Sequence, residues 1–282
     1  MGSQDRKAEA DAVMDRFTAD AYLARIGAAR PAVADADALR ELHLRHLLTV
    51  PFENLSIHLG EDIVLEESAL VAKLLRGRGG FCYELNGAFC ALLREIGFEA
   101  EMLAARVFGD DGRLGPPYDH MALRVRTATG EEALADVGFG RHSRYPLDWR
   151  SRDEQDDPGG VFRIAAAPDG SGDLDVLRDG AAQYRLEQRP RGLGDFESTC
   201  WWQRTWPGSH FRQSPVCSRF TGDGRVTLAG RTLVVTGRTG EDGREARAER
   251  ELAGRDEVLA AYREHFGIAL DREPVAVGAA SR

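Results

Sequence analysis

The stretch RGGFCYELNGAFCALLREIG, residues 78–97, decides how this chain is read. Leu85, Phe89, Leu92 or Leu93, and Ile96 recur at helical spacing as one apolar stripe. Gly97 suits the left-handed residue that closes a helix. The spacing therefore predicts a helix that opens near Cys82. Gly77-Arg78-Gly79-Gly80 just before it implies a tight backbone path that leaves the sulfur approachable. A cysteine in the first helical turn lies at the positive end of the helix dipole, which lowers a thiol pKa. Glu84 and Asn86 put polar side chains in that same turn, where a purely packing helix needs none. Taken alone, a cysteine is most often an inert, buried small hydrophobe.

Upstream the pattern is also helical. Asp20 is a cap for a segment carrying Tyr22, Leu23 and Ile26, closed by Gly27. Asp35 or Asp37 caps a second segment with Leu39, Leu42, His43, His46 and Leu47, which Pro51 stops. From Phe98 the period changes. Segments 99–107, 120–126 and 132–138 read as strands, separated by turn-prone 109–117 and 127–130. Weaker strand signals fall at 161–166, 173–178, 182–188, 225–229 and 231–236. An exposed acidic loop is expected at 150–160, a charged turn at 237–250, and a last helix at 256–266 ended by Gly267. A helical first third, a β-rich middle and a smaller mixed end make an α+β chain with its cysteine-bearing helix against a sheet.

A reactive thiol needs a base and a group to orient that base. His120 opens HMALRVR and Asp136 lies in LADVGFG. A hairpin centred on Ala128 sets the two opposite each other, on one face of the sheet. A one-residue slip would part them, and a His–Asp pair of this kind also occurs as a plain surface contact.

Composition narrows the field. The 282 residues are 43% hydrophobic and 29% charged, as in a soluble globular protein. With 37 basic against 46 acidic residues and no basic run, a nucleic-acid partner is not expected. No apolar stretch approaches the ~20 residues of a membrane span, and the charged N-terminus lacks a secretory core. None of Cys82, Cys90, Cys200 and Cys217 forms a C-x-x-C pair, and the histidines share no ligand spacing, so no metal is expected. Free thiols suit a reducing cytoplasm, with Cys90, Cys200 and Cys217 buried and inert.

RGGFCYELN (78–86), DHMALRV (119–125) and ADVGFG (135–140), with PFENLSIHLG (51–60) and DAYLARIG (20–27), closely resemble the arylamine N-acetyltransferases. That resemblance implies Cys82 as acetyl-accepting nucleophile, His120 as base and Asp136 as orienting acid. It implies Arg78 and Glu53 as a structural ion pair, acetyl-coenzyme A as donor substrate with no metal or prosthetic group, and an arylamine or arylhydrazine acceptor. The implied fold is a helical domain (1–100), a β-barrel (101–205) and a C-terminal α/β lid (206–282) about a cysteine-protease-like, transglutaminase-like core. Val107 and Phe139 become acceptor-pocket walls, or simply core. In the run Arg204–Phe211, Thr205, Pro207, Ser209 and Phe211 match a coenzyme A-holding pattern, with Thr205 and Ser209 as donor contacts, while Arg204 replaces its serine. Trp201, Trp202 and Trp206 read as core or as an aromatic wall, with core the stronger reading for each. Three other readings remain: an amide synthase of the same family acting on a carrier-bound polyketide, a transglutaminase- or papain-like hydrolase, and a non-enzymatic binding module.

Overall fold

Helix α1 (Arg16–Ile26) opens on Asp15, whose carboxylate accepts the Thr18 N–H at 2.7 Å. The cap therefore lies five residues ahead of the expected Asp20, which instead binds Arg30 on the surface at 2.9 Å. The computed structural model that shows this describes residues 14–239 and 244–277. Gly27, at φ 67°, ends α1, and Asp35 caps α2 (Ala36–Thr49) through the Ala38 N–H. After the two-residue β1 (Phe52–Glu53) come α3 (Leu55–Leu59) and α4 (Glu67–Leu75). Five residues give α3 too few turns to declare a period; in α4, Leu70, Val71 and Leu74 do recur at helical spacing, a signal the sequence expectations above do not include.

Helix α5 (Cys82–Glu95) begins where expected, and every residue from Cys82 to Leu93 is buried. Glu84 turns back to accept the Phe81 N–H at 3.2 Å, closing the open helix start. The approach to it admits no side chain at Gly79. A Cβ there would lie 1.8 Å from the Pro51 carbonyl oxygen.

Eight antiparallel strands follow as one sheet, in the order β5-β4-β3-β2-β9-β8-β7-β6. They are β2 (Glu99–Val107), β3 (His120–Arg126), β4 (Glu132–Ala135), β5 (Leu147–Asp148), β6 (Gln155–Asp157), β7 (Gly160–Ala166), β8 (Leu174–Arg178) and β9 (Ala181–Arg191). The two edge strands meet through one side chain. Gln155 accepts the Asp148 N–H at 2.7 Å and donates to the Asp148 carbonyl at 3.1 Å, nearly closing a barrel. The expected loop at 150–160 thus contains a strand, β6.

The β3–β4 hairpin differs from expectation by one residue. Leu123 lies opposite Ala135 and Arg124 opposite Leu134, which centres the turn on Thr129 and not Ala128. Asp136 is therefore displaced by two residues from the position facing His120. An even offset keeps both side chains on the same face, so the pairing of the two survives the change.

Helices α6 (Glu197–Thr205) and α7 (His210–Gln213) lead into a second sheet, β1-β10-β11-β12-β13. Its strands are β10 (Val216–Phe220), β11 (Arg225–Ala229), β12 (Thr232–Thr239) and β13 (Arg244–Glu251), and α8 (Arg255–Phe266) packs on it. Most of the expected charged turn at 237–250 is strand, with 240–243 outside the described residues. Charge alternates with alanine along β13, and its side chains from Arg247 to Glu251 are exposed. An edge strand with no buried face carries no apolar period.

Glu53 ties these layers together. Its side chain is fully buried, and its carboxylate accepts Arg78 Nε at 3.0 Å and the N–H groups of Leu55 at 2.7 Å and Gly79 at 3.3 Å. Burial works to raise this carboxyl, yet Lys73 and Arg78 hold it below the usual range. Glu53→Gln leaves Arg78 without its buried partner. It should cost about 3–5 kcal/mol of unfolding free energy, read as a lower denaturant midpoint at unchanged m-value.

Candidate active site

Cys82 is the first residue of α5 and is 3% exposed. Its Sγ lies 3.9 Å from the Asp119 carbonyl oxygen, which brings the helix start against the entry to β3. Gly138 makes this approach possible. A Cβ at that position would fall 2.7 Å from Cys82 Cα and 2.8 Å from the Asn86 amide nitrogen.

His120 opens β3, and its Nε2 lies 2.7 Å from Asp136 Oδ2 with both side chains buried. A carboxylate there accepts a proton carried on Nε2 and leaves the Nδ1 lone pair free. Asp136 is further held by Asn86 Nδ2 and the Gly138 N–H, each at 2.9 Å. Burial alone would raise the Asp136 carboxyl. His120 and these donors outweigh it and keep Asp136 well below the carboxylate range. Cys82 behaves otherwise than the helix dipole suggests, because burial pushes its thiol well up.

Several contributors lie beyond the sequence motifs. Asn86 donates to the Met121 carbonyl at 2.6 Å and accepts the Val137 N–H at 2.9 Å, besides binding Asp136. His43, from α2, accepts the Asp136 N–H on Nε2 at 3.2 Å, while its Nδ1 contacts the Arg144 carbonyl at 3.0 Å. That pairing requires a neutral ring, and burial lowers the His43 pKa accordingly. Lys73 binds Glu84 at 2.6 Å beneath the helix start. Asn86 carried a signal, as a polar side chain in a buried turn. His43 looked like one more helical position and carried none.

A cavity of about 570 Å³ opens on Cys82 and His120 and is walled by Val107, Phe139, Phe52 and Phe211. Val107 and Phe139 also pack against the barrel's apolar cluster. Thr205 and Ser209 do not line it. The Thr205 hydroxyl donates to the Trp201 carbonyl at 2.8 Å, and the buried Ser209 hydroxyl donates to Gln203 at 2.8 Å. Arg204, in place of the expected serine, is drawn to Asp62 at 3.0 Å. The run meets the cavity through His210 and Phe211 instead.

The tryptophans are not core. Trp201 is 65% and Trp206 47% exposed, and Trp202 stacks on Trp206 at 4.6 Å. Helix α6 buries only Cys200 and Gln203. All four cysteines are free and buried, and burial lifts Cys90 and Cys200 to about 12. Among the described residues no cluster of three or more His, Cys, Asp or Glu could hold a metal. Among the described residues no helix is long and apolar enough to cross a membrane.

A helix-borne cysteine held against a nearly closed antiparallel sheet defines the transglutaminase-like class of folds. Residues 35–275 match the N-acetyltransferase family model. The arylamine N-acetyltransferase of Escherichia coli is 34% identical over 258 residues, covering 89% of this chain and 88% of its own. The arylamine N-acetyltransferase structure from Mycobacterium smegmatis superposes with a TM-score of 0.79 at 33% identity, over 92% of this chain and 96% of that one. The Mycobacterium marinum enzyme in complex with coenzyme A gives 0.77 at 29% identity, over 88% and 92%. The chain belongs to the arylamine N-acetyltransferase family.

Asp119 adds a testable titration beside His120. The carboxylate is 9% exposed and accepts the Val107 N–H at 2.9 Å, and burial raises it to about 6. A carboxyl raised by folding contributes stability that is present below its unfolded pKa of 3.8 and lost as pH climbs through about 6. Asp119→Asn keeps an acceptor for Val107 and carries no charge. The variant should melt with the wild type near the unfolded pKa and above it at neutral pH, in paired Tm scans. A variant less stable at every pH would refute this.

Proposed function

We propose that this chain transfers acetyl from acetyl-coenzyme A to arylamines or arylhydrazines through an acetyl-Cys82 intermediate. The observation that carries the reading is the buried His120–Asp136 hydrogen bond in the wall of the cavity that holds Cys82. His120 Nδ1 takes the Sγ proton, and the thiolate attacks the thioester carbonyl. Backbone N–H groups at the start of α5 are suited to the oxyanion that forms. The bond to coenzyme A breaks, its sulfur takes the proton from His120, and acetyl stays on Cys82. The amine then attacks that thioester and gives its proton to His120. The C–S bond breaks, Cys82 recovers its proton, and the kinetics are ping-pong. Aromatic amines and hydrazines fit because they keep a free lone pair at neutral pH.

In this reading Val107 and Phe139 flank the acceptor. The 204–211 turn borders the donor, with Thr205 offering an exposed hydroxyl and Ser209 fixing the turn from inside. Four free thiols suit a cytoplasmic location.

Thiol release from acetyl-coenzyme A tests the proposal. Release should depend on added arylamine or arylhydrazine and vanish in Cys82→Ala. Wild-type protein that binds and releases nothing from this donor, while Cys82 is still rapidly alkylated, would sink the acetyl-coenzyme A assignment. Asp136→Asn should fold and lose roughly 10³–10⁴-fold in kcat, because His120 loses its fixed tautomer.

A further inference from the structure

Away from Cys82, four guanidinium groups converge on a cleft of about 480 Å³ between the barrel-like sheet and the C-terminal sheet. Arg144 is tied down, donating to the Gly222 carbonyl at 2.7 Å and the Gly224 carbonyl at 3.4 Å. The other three are poorly matched. Arg225 opens β11 and has one hydrogen bond, to Ser218 Oγ at 3.0 Å, with its guanidinium 4.0 Å above the Phe220 ring centroid. Arg141 is exposed at the mouth. Among the described residues, neither Arg141 nor Arg225 has a carboxylate within 4.0 Å. Arg178 Nε is buried without a hydrogen bond, and its nearest acid is Asp179 at 3.4 Å.

Four aspartates also line the cleft; among the described residues none lies within 4.0 Å of Arg141 or Arg225, and Asp179 alone reaches Arg178. Asp157 accepts three backbone N–H groups, from Arg144, Tyr145 and Gly159. Asp179 accepts the Val161 N–H at 2.8 Å, and Asp156 and Asp223 stand exposed. The field at Arg225 shows the result. Burial, then repulsion from Arg141, Arg178 and Arg144, pulls its guanidinium down to about 9, with no carboxylate opposing them. A guanidinium still stays charged at neutral pH. Buried charge without a partner is costly, so an arrangement of this kind calls for a counter-ion.

We propose that the cleft binds a phosphate-class oxyanion, held between Arg141 and Arg178 on the barrel side and Arg225 on the C-terminal sheet. Its tetrahedral oxygens can accept from guanidinium groups on both sides of the cleft at once. The bound anion clamps the two sheets together. His142 separates this cleft from the catalytic cavity, lining the one and packing edge-on against Phe139 of the other at 5.8 Å. The site stands whether or not Cys82 accepts acetyl. The anion is free phosphate or a phosphate of coenzyme A, which share this chemistry.

The test is titration of the full chain with inorganic phosphate at constant ionic strength, read by calorimetry and by Tm. Wild type should show saturable heat and a rising Tm that a matched chloride series does not reproduce. Arg225→Gln and the exposed Arg141→Gln should each bind phosphate roughly tenfold more weakly. In phosphate-free buffer Arg225→Gln should be at least as stable as wild type, since repulsion is relieved; a merely structural arginine would lower Tm there. If Arg225→Gln does not fold, Arg141→Gln carries the comparison. Saturating coenzyme A that displaces phosphate, where coenzyme A lacking its 3′-phosphate does not, identifies the donor as the source; unchanged phosphate affinity identifies free phosphate. No saturable binding by wild type, or binding by both variants as tight as that of wild type, overturns the proposal.

Discussion

The Asn86 side chain is the joint on which this molecule turns. One amide reaches the Met121 carbonyl, the Asp136 carboxylate and the Val137 N–H, and so locks α5 to the ends of β3 and β4. Helix and sheet pack through apolar surface, which is indifferent to sliding by part of a turn. A buried amide with its donors and acceptor committed is not indifferent. It fixes where Cys82 stands relative to His120, and it does so with the same group that helps to keep Asp136 ionised.

A second polar layer supports the first from below. Glu84 closes the start of α5 and binds Lys73, while Glu53 gathers Arg78 and the backbone of the preceding turn. Two carboxylates and two cations stand together with little solvent. The balance is uneven: burial and the nearby Glu53 raise Glu84, whereas its cations hold Glu53 down. Such a network adds little net stability over an apolar core, but it specifies one geometry for the segment that delivers the cysteine.

Much of this was legible before any coordinates, for physical reasons that differ by element. Helices α2 and α5 and strands β2 and β3 declare themselves through apolar spacing, strand-forming composition and end signals. The pairing of His120 with Asp136 survived a misplaced hairpin centre because strand faces repeat every two residues. Helix α3 is too short to show a period, α4 shows one in Leu70, Val71 and Leu74 that the sequence expectations do not include, and the described side chains of β13 bury no face. The tryptophans misled for a different cause: their size argues for burial, yet α6 turns its other side inward. The helix-start argument for Cys82 leaves out desolvation, which acts in the opposite direction and which only packing reveals. Neither the His43 contact nor the arginine cleft could be foreseen, since each joins segments remote in sequence.

Strand β13 repays a last look, as the outer edge of the five-stranded sheet. An unpaired edge offers its backbone to any passing strand, and a second molecule is the nearest candidate. Here the exposed side chains run Arg247, Ala248, Glu249, Arg250, Glu251, so an incoming copy would have to bring its own charges alongside them. The opposite edge, β1, is only two residues long and already makes a parallel bridge to Gly80 through Phe52. One side of the sheet is guarded by charge and the other by brevity. Both edges of the sheet are thereby shielded from pairing with a strand of another molecule.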